Sequence, residues 1–336
     1  VTAGTALRPE VEATGYLPLV AETLQQLAEA SAQAGDPAAA RAALADATWA
    51  AEASHHDAAA ARAWVTLVFV AGFLGGDREA GEAAVRRADA AVLRIGDPGE
   101  LRGRLELNRG ALAYGQGDVA GALARWEHAR TLWTAALGAR HADLARVYNN
   151  LASGYGDLGR HDEAVAAYRE ALAIWEAALG PSHPLVATTL QNLALEQLTV
   201  GDLPAAAVTG ARALAIHEEV LGATHPQVAR TLRTVAGIAV HQGRLTDADA
   251  ALTRALAIED EHGGATASLL YELADLRRAQ RQTRDARVLV GRALAMLRDG
   301  DLTGATRGDE GVALGVLAEL ELDDRAWSTA ERLATD

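Results

Sequence analysis

Residues 179–194 read LGPSHPLVATTLQNLA, and two near copies occur in the same chain. They are LGARHADLARVYNNLA at 137–152 and LGATHPQVARTLRTVA at 221–236, so each copy begins 42 residues after the previous one. A fixed period of about 20–50 residues indicates a repeat architecture, in which one supersecondary unit is written several times. These sixteen residues therefore decide the fold class.

A glycine marks the same interval along most of the chain. Its copies are 41 or 42 residues apart, and they are Gly35, Gly76, Gly117, Gly159, Gly201 and Gly243. Alanine recurs twelve residues after each of them. Apolar residues at helical spacing predict helices with one buried face, and each glycine predicts a turn between two antiparallel helices. One pair cannot bury its apolar face alone, so we expect the pairs to stack.

This pattern predicts an all-α protein, a right-handed α-solenoid of seven or eight helix pairs. The seventh unit is four residues short and carries Arg281 where the turn glycine is expected. An eighth pair is predicted at 309–335. The most apolar stretch, WVTLVFVAGFLGG (64–76), is shorter than the ~20 residues that cross a bilayer, and we interpret it as a buried helix.

Residues 149–180, NNLASGYGDLGRHDEAVAAYREALAIWEAALG, resemble a tetratricopeptide repeat of the 42-residue kind found in kinesin light chains and many bacterial proteins. The resemblance divides the chain into divergent N-terminal helical repeats (1–96), well-matched repeats (97–264), and divergent C-terminal repeats with capping helices (265–336). It implies a non-catalytic interaction scaffold that holds an extended peptide or protein partner in a concave groove.

Residues 15–72, which begin GYLPLVAETL, are similar to the region after the catalytic domain of some large bacterial serine/threonine kinases, notably of myxobacterial type. This similarity implies a regulatory role in a signalling protein. The chain lacks the kinase motifs, so any kinase activity would reside in an upstream domain. Two alternatives stay open: the repeat region of a bacterial transcriptional regulator, and a stand-alone enzyme.

Composition excludes several kinds of chemistry. The chain has no cysteine and no lysine, which excludes disulfides, thiolate metal sites, a Walker-type lysine and a Schiff-base lysine. Its net charge of −14 argues against binding nucleic acid through phosphates. We therefore predict a cytoplasmic protein that has no cofactor, no nucleic-acid partner and no membrane partner.

Two sequence features look like metal sites. His141, His183 and His225 recur at the start of the first helix of each pair, about 10 Å apart in stacked helices, whereas zinc needs nitrogens at about 2.0–2.1 Å. We interpret them as architectural. Residues 299–310, DGDLTGATRGDE, resemble a calcium loop but supply few carboxylates. We interpret this stretch as an inter-repeat loop, and we predict no metal site.

A polar column runs along the first helices. Nine residues before the turn glycine stand Asn108, Asn150, Asn192 and Thr234, and one helical turn earlier stand Arg104, Arg146, Thr188 and Arg230. Asparagine is a poor mid-helix residue, so its recurrence needs a reason, and two interpretations stay open. In the first, each amide bonds a neighbouring helix and sets the repeat geometry.

The second interpretation follows from the family resemblance, which implies that asparagines at such places hold the backbone of a bound peptide. Arginine forks suit carboxylates, so the partner would be an acidic or carboxylate-terminated peptide. The predicted site residues are Arg104, Asn108, Arg146, Asn149, Asn150, Gln191, Asn192, Arg230 and Arg233.

Overall fold

The computed structural model describes residues 2–263, 266–298 and 314–322, and every regular element in those ranges is helical. The all-α prediction is confirmed. The helices are α1 (Thr2–Ala13), α2 (Leu17–Gln33), α3 (Pro37–Ala53), α4 (Asp57–Leu67) with a π-helical continuation (Val68–Leu74), α5 (Arg78–Arg94), α6 (Gly99–Gly115), α7 (Val119–Leu137), α8 (Ala142–Asp157), α9 (His161–Leu179), α10 (Pro184–Thr199), α11 (Leu203–Leu221), α12 (Pro226–His241), α13 (Leu245–Glu261), α14 (Ala267–Ala279), α15 (Thr283–Arg298) and α16 (314–322).

Successive helices from α2 to α15 form seven pairs, and the first six pairs are each joined at the predicted turn glycine. All six glycines have a positive φ, between +64° and +82°, which is the left-handed conformation that favours glycine. Arg281 takes the same position in the seventh pair with φ +64°. Helix α16 lies within the predicted eighth pair, and the rest of that pair and the 299–310 loop lie outside the described residues.

The residue after the turn glycine begins the second helix of the pair. Where it is aspartate, its carboxylate accepts the backbone N–H three residues on, at 2.8–3.2 Å, as at Asp36, Asp77, Asp118 and Asp202. Such a cap stabilises a helix by about 1 kcal/mol. Gly-Asp in this sequence therefore specifies both the turn and the helix start.

The repeated histidines begin the first helices. Nδ1 of His141, His183 and His225 accepts the backbone N–H two residues on, at 3.1–3.3 Å. In the latter two cases proline occupies the first helical position, where its missing N–H costs nothing. The interpretation of these histidines as architectural is confirmed, because each one caps a helix.

Where the two helices of a pair pack against each other, the residues that face one another are complementary in size. The alanine seven residues before the turn glycine faces the residue nine after it: the Cβ of Ala194 lies 3.7 Å from the point where Gly210 would carry one. In the third pair the order is reversed, with Gly110 facing the indole of Trp126. The bulkier ring fits there because the opposite position has no side chain.

The apolar stretch at 64–76 is helical as far as Leu74, as predicted, but it is π-helical from Val68 to Leu74. It is mostly buried up to Ala71, whereas Phe73 and Leu74 are each 38% exposed, so the prediction of a buried helix holds only for its first part. Two glycines meet there: a Cβ on Gly81 would lie 2.7 Å from the Cα of Gly72. By length and composition Asp57–Leu74 could also cross a membrane, but 56% of it is buried inside the protein, so this is weak evidence for a span.

The chain divides into two compact units, residues 1–178 and 179–336. The predicted boundaries after residues 96 and 264 describe how well each stretch matches the repeat rather than compactness, and they stay a prediction. The N-terminal unit contains the five predicted site residues from Arg104 to Asn150. The C-terminal unit contains the four from Gln191 to Arg233.

Candidate partner-binding site

All nine predicted site residues lie on the first helix of a pair, namely on α6 and α8 in the N-terminal unit and on α10 and α12 in the C-terminal unit. Their surroundings differ even though their repeat positions match. The structure separates them into residues bonded inside the protein and residues whose polar groups are open to a partner.

Two of the nine are buried and hydrogen-bonded. Nδ2 of Asn108 donates to the backbone carbonyl of Val65 at 2.8 Å, and Oε1 of Gln191 accepts from the Thr231 hydroxyl at 3.0 Å. Each bond joins two first helices. Leaving a buried amide unpaired costs about 1–3 kcal/mol, so these two side chains hold the stack together.

Two more are arginines with acidic partners. Arg233 makes a two-pronged contact with Glu272, with Nη2–Oε1 at 2.5 Å and Nε–Oε2 at 3.1 Å. Nη2 of Arg104 lies 3.7 Å from Oδ2 of Asp143. These carboxylates partly neutralise both arginines, so the two guanidinium groups have fewer free N–H donors for a partner.

The other five side chains are exposed or half-buried. In the part of the chain that the structure describes, Arg146 has no ion pair and the three asparagines accept and donate no side-chain hydrogen bond. Arg230 has one contact at 3.3 Å, with Gln227 on its own helix. The five residues are Arg146, Asn149, Asn150, Asn192 and Arg230.

A cavity of about 580 Å³ lies on the first-helix face of the C-terminal unit, between α10, α12 and α14. Gln191, Arg230 and Arg233 all line it, so the structure brings these three predicted residues together. Much of the remaining lining is apolar, and it includes Leu195, Ala236, Val240, Leu276 and Ala279.

The two acidic side chains at this cavity have arginine partners, whereas one arginine of the lining has no acidic partner in the described part of the chain. Glu272 is paired with Arg233, and Asp275 accepts from Arg278 at 3.1 Å. Arg230 is exposed and meets no carboxylate among the described residues. The cavity thus combines an apolar floor with one guanidinium that is open to an acidic group.

Sequence reasoning missed His217, which is fully buried in α11. It stands two repeats after Trp133, whose indole Nε1 donates to the backbone carbonyl of Glu100 at 2.7 Å. The His217 ring instead meets two hydroxyl groups, with Nε2 3.5 Å from Oγ1 of Thr188 and Nδ1 close to Oγ1 of Thr231. The histidine therefore takes the place of a core tryptophan, and the shared repeat position is the signal that could have found it.

His217 is connected to the cavity through hydrogen bonds. Its Nδ1 lies 2.9 Å from Oγ1 of Thr231, which bonds Gln191 at 3.0 Å, and Gln191 lines the cavity. Burial lowers the pKa of His217, the charges of His225 and Arg230 lower it further, and the Pro184 carbonyl opposes them. The folded protein therefore favours the neutral ring.

A pH dependence of stability follows. Because the His217 pKa is lower in the folded state than in the unfolded state, the unfolded chain binds more protons below about pH 6.5. We expect unfolding free energy to fall as pH drops from 7.5 to 5.5, and His217→Phe to show a shallower fall. Urea unfolding at both pH values measures this, with His241→Gln as the control. Equal pH slopes in the wild type and His217→Phe would contradict it.

Comparison with known proteins agrees with this architecture. The tetratricopeptide repeat model matches residues 101–177, 143–216 and 209–261. Residues 101–261 contain tetratricopeptide repeats. These repeats are typical of protein–protein interaction scaffolds. No curated protein sequence matches the chain significantly.

Solved structures share the fold at low identity. RapI in its apo form has a TM-score of 0.66 at 11% identity, covering 90% of this chain and 86% of its own. The apo quorum sensor NprR from B. thuringiensis has 0.60 at 14%, covering 91% and 80%. BtubC (BKLC) from P. vanneervenii has 0.53 at 21%, covering 74% and 93%. At these identities the likeness concerns the fold alone.

Proposed function

We propose that this chain is a non-catalytic scaffold whose first helices bind an extended segment of a protein partner. The observation that carries the proposal is a set of five side chains that form no ion pair and no hydrogen bond to another helix among the described residues, whereas the other four predicted site residues are paired within the protein. Arg146 and Asn150 represent the set in the N-terminal unit, and Arg230 and Asn192 represent it in the C-terminal unit.

Charge supports an acidic partner. The protein carries 45 acidic residues against 31 basic ones, yet Arg146 and Arg230 form no ion pair in the described ranges. A guanidinium binds a carboxylate with two parallel N–H···O bonds. An acidic or carboxylate-terminated segment would therefore supply the missing partner, and amides such as Asn150 and Asn192 can donate to and accept from its backbone.

The cavity of the C-terminal unit supports a second requirement on the partner. Its floor, with Leu195 and Val240 exposed in part, has room for a large apolar side chain, and Arg230 lies at the same cavity. We expect the bound segment to place an apolar residue there with an acidic group close to it.

The kinase-linked context is a separate part of the proposal. It rests on the resemblance of residues 15–72 to the region after the catalytic domain of bacterial serine/threonine kinases. The likeness of the fold to a quorum sensor is compatible with a cytoplasmic signalling role. Reading the coding sequence upstream of Val1 tests it: a kinase domain supports this context, whereas a DNA-binding domain would favour the transcriptional regulator.

Selection of random linear peptides against the whole chain tests partner binding. We expect the selected peptides to be acidic, and Arg146→Gln and Arg230→Gln to weaken their binding about tenfold each, since a hydrogen bond to a charged group contributes about 1.5–3 kcal/mol. Isothermal titration in low and high salt measures the affinity and its electrostatic part. Arg169→Gln, an exposed arginine on α9, is the matched control.

Asparagines at one repeat position provide a sharper comparison. Asn150→Ala is expected to weaken peptide binding and leave the melting temperature nearly unchanged. Asn108→Ala is expected to lower the melting temperature, because it leaves the buried Val65 carbonyl unpaired. If Asn150→Ala lowers stability as much as Asn108→Ala and affinity only in proportion, the column serves the fold alone.

A further inference from the structure

A second cavity, of about 420 Å³, lies in the N-terminal unit where α5, α6 and the start of α7 meet. Each of these helices contributes one arginine to its lining: Arg86, Arg109 and Arg125. We call it the arginine pocket. None of the predicted partner-binding residues lines it, so it is a different site from the one described above.

Two of the three guanidinium groups are held by one buried carboxylate. Glu106 is 2% exposed, and its carboxylate accepts from Nη1 of Arg109 at 3.0 Å and from Nη1 of Arg125 at 3.1 Å. A buried carboxylate is costly unless it is paired, so Glu106 fixes both arginines in place. A guanidinium has five N–H donors, and no described hydrogen bond uses Nε or Nη2 of either arginine.

The third guanidinium and the acids at the rim complete the site. Arg86 is exposed and forms no ion pair within the described ranges. The two carboxylates of the lining are already in use: Glu82 accepts from Arg78 at 2.8 Å, and Asp118 caps α7 by accepting the N–H of Gly121 at 2.8 Å. Apart from the side-chain amide of Gln116, the free donors of the pocket therefore belong to arginines.

We propose that the arginine pocket binds a phosphate monoester. A phosphate dianion presents three terminal oxygens and satisfies several guanidinium forks at once, whereas a single carboxylate is satisfied by one. The cavity is larger than a phosphate ion, and Val85 and Leu112 give it an apolar wall. The organic part of the ester contacts that wall while the phosphate faces the arginines.

Phenyl phosphate is the probe, titrated into the whole chain at low salt and followed by isothermal calorimetry. We expect saturable one-to-one binding. It should be stronger than the binding of benzoate, which has the same ring but only one negative charge. Arg86→Gln is expected to weaken it tenfold or more. This variant is chosen because Arg86 is exposed, whereas a change at Arg109 would leave Glu106 less well paired in the core.

The matched control is Arg169→Gln, which removes the same charge from an exposed arginine outside the pocket. Unchanged affinity in this control supports the site. Equal weakening in both variants, or no saturable binding of phenyl phosphate, overturns the proposal. A short peptide with one phosphoserine distinguishes the source: tighter binding than phenyl phosphate assigns the pocket to a phosphorylated protein, and weaker binding assigns it to a small ester.

Discussion

Replacing Gly110 with alanine is expected to lower the free energy of unfolding by about 2–3 kcal/mol, because the added methyl group overpacks the core. Built on the existing backbone, the new Cβ would overlap Nε1 and Cδ1 of the Trp126 indole and would lie 2.9 Å from Cε2. The indole is 2% exposed, and its Nε1 donates to the Leu107 carbonyl at 3.2 Å. It cannot move away without losing that bond.

Helix propensity alone predicts the opposite sign, since alanine is favoured over glycine in a helix by about 1 kcal/mol. Gly237 provides the control: it lies in α12, and the nearest atom to an added Cβ there is Cδ2 of Leu198 at 3.8 Å. We expect Gly237→Ala to stabilise the protein by about 0.5–1 kcal/mol. Urea unfolding followed by circular dichroism measures both variants.

A double variant tests the cause. Gly110→Ala with Trp126→Leu recreates the alanine–leucine pair that the repeat has at Ala28 and Leu44. We expect it to be more stable than the sum of the two single changes implies, by about 1–2 kcal/mol. Simple additivity would show that the indole does not cause the loss.

The second large effect is expected at Gly222, the glycine of the repeated LG-x-x-H loop. Its φ of +88° and ψ of +153° belong to a region that only glycine occupies readily. No atom lies within 4 Å of an added Cβ, so the cost of Gly222→Ala comes from the backbone alone. We expect a loss of about 1–3 kcal/mol.

Gly138 provides an internal repeat of this measurement, because its φ of +88° and ψ of +156° are nearly the same. Thr224→Ala, an exposed change in the same loop as Gly222, should stay within about 0.5 kcal/mol of the wild type. Thermal and urea unfolding of the three variants provide the values. If Gly222→Ala is as stable as Thr224→Ala, the loop can adopt another conformation at no cost.

Repetition made much of the fold predictable. The turn glycines, the alanines and the histidine–proline starts each specify a local conformation that needs no distant partner: a positive φ, a close approach of two helices, or a helix N-cap. Sequence reasoning therefore placed the seven pairs and explained His141, His183 and His225. It missed the π-helical segment at Val68–Leu74, because helical periodicity does not show where one extra residue enters a turn.

The candidate site was predictable only as a set of positions. The sequence by itself determined that polar residues recur on the first helices, since that follows from helical spacing and a constant period. Tertiary structure decided which of them are free, because Asn108 and Asn150 share a repeat position and differ only in what lies opposite. A backbone carbonyl of a neighbouring helix takes up the amide of Asn108, whereas no described group of the protein bonds the amide of Asn150. The arginine pocket depends on tertiary structure in the same way, because packing of α5, α6 and α7 brings Arg86, Arg109 and Arg125 to one cavity.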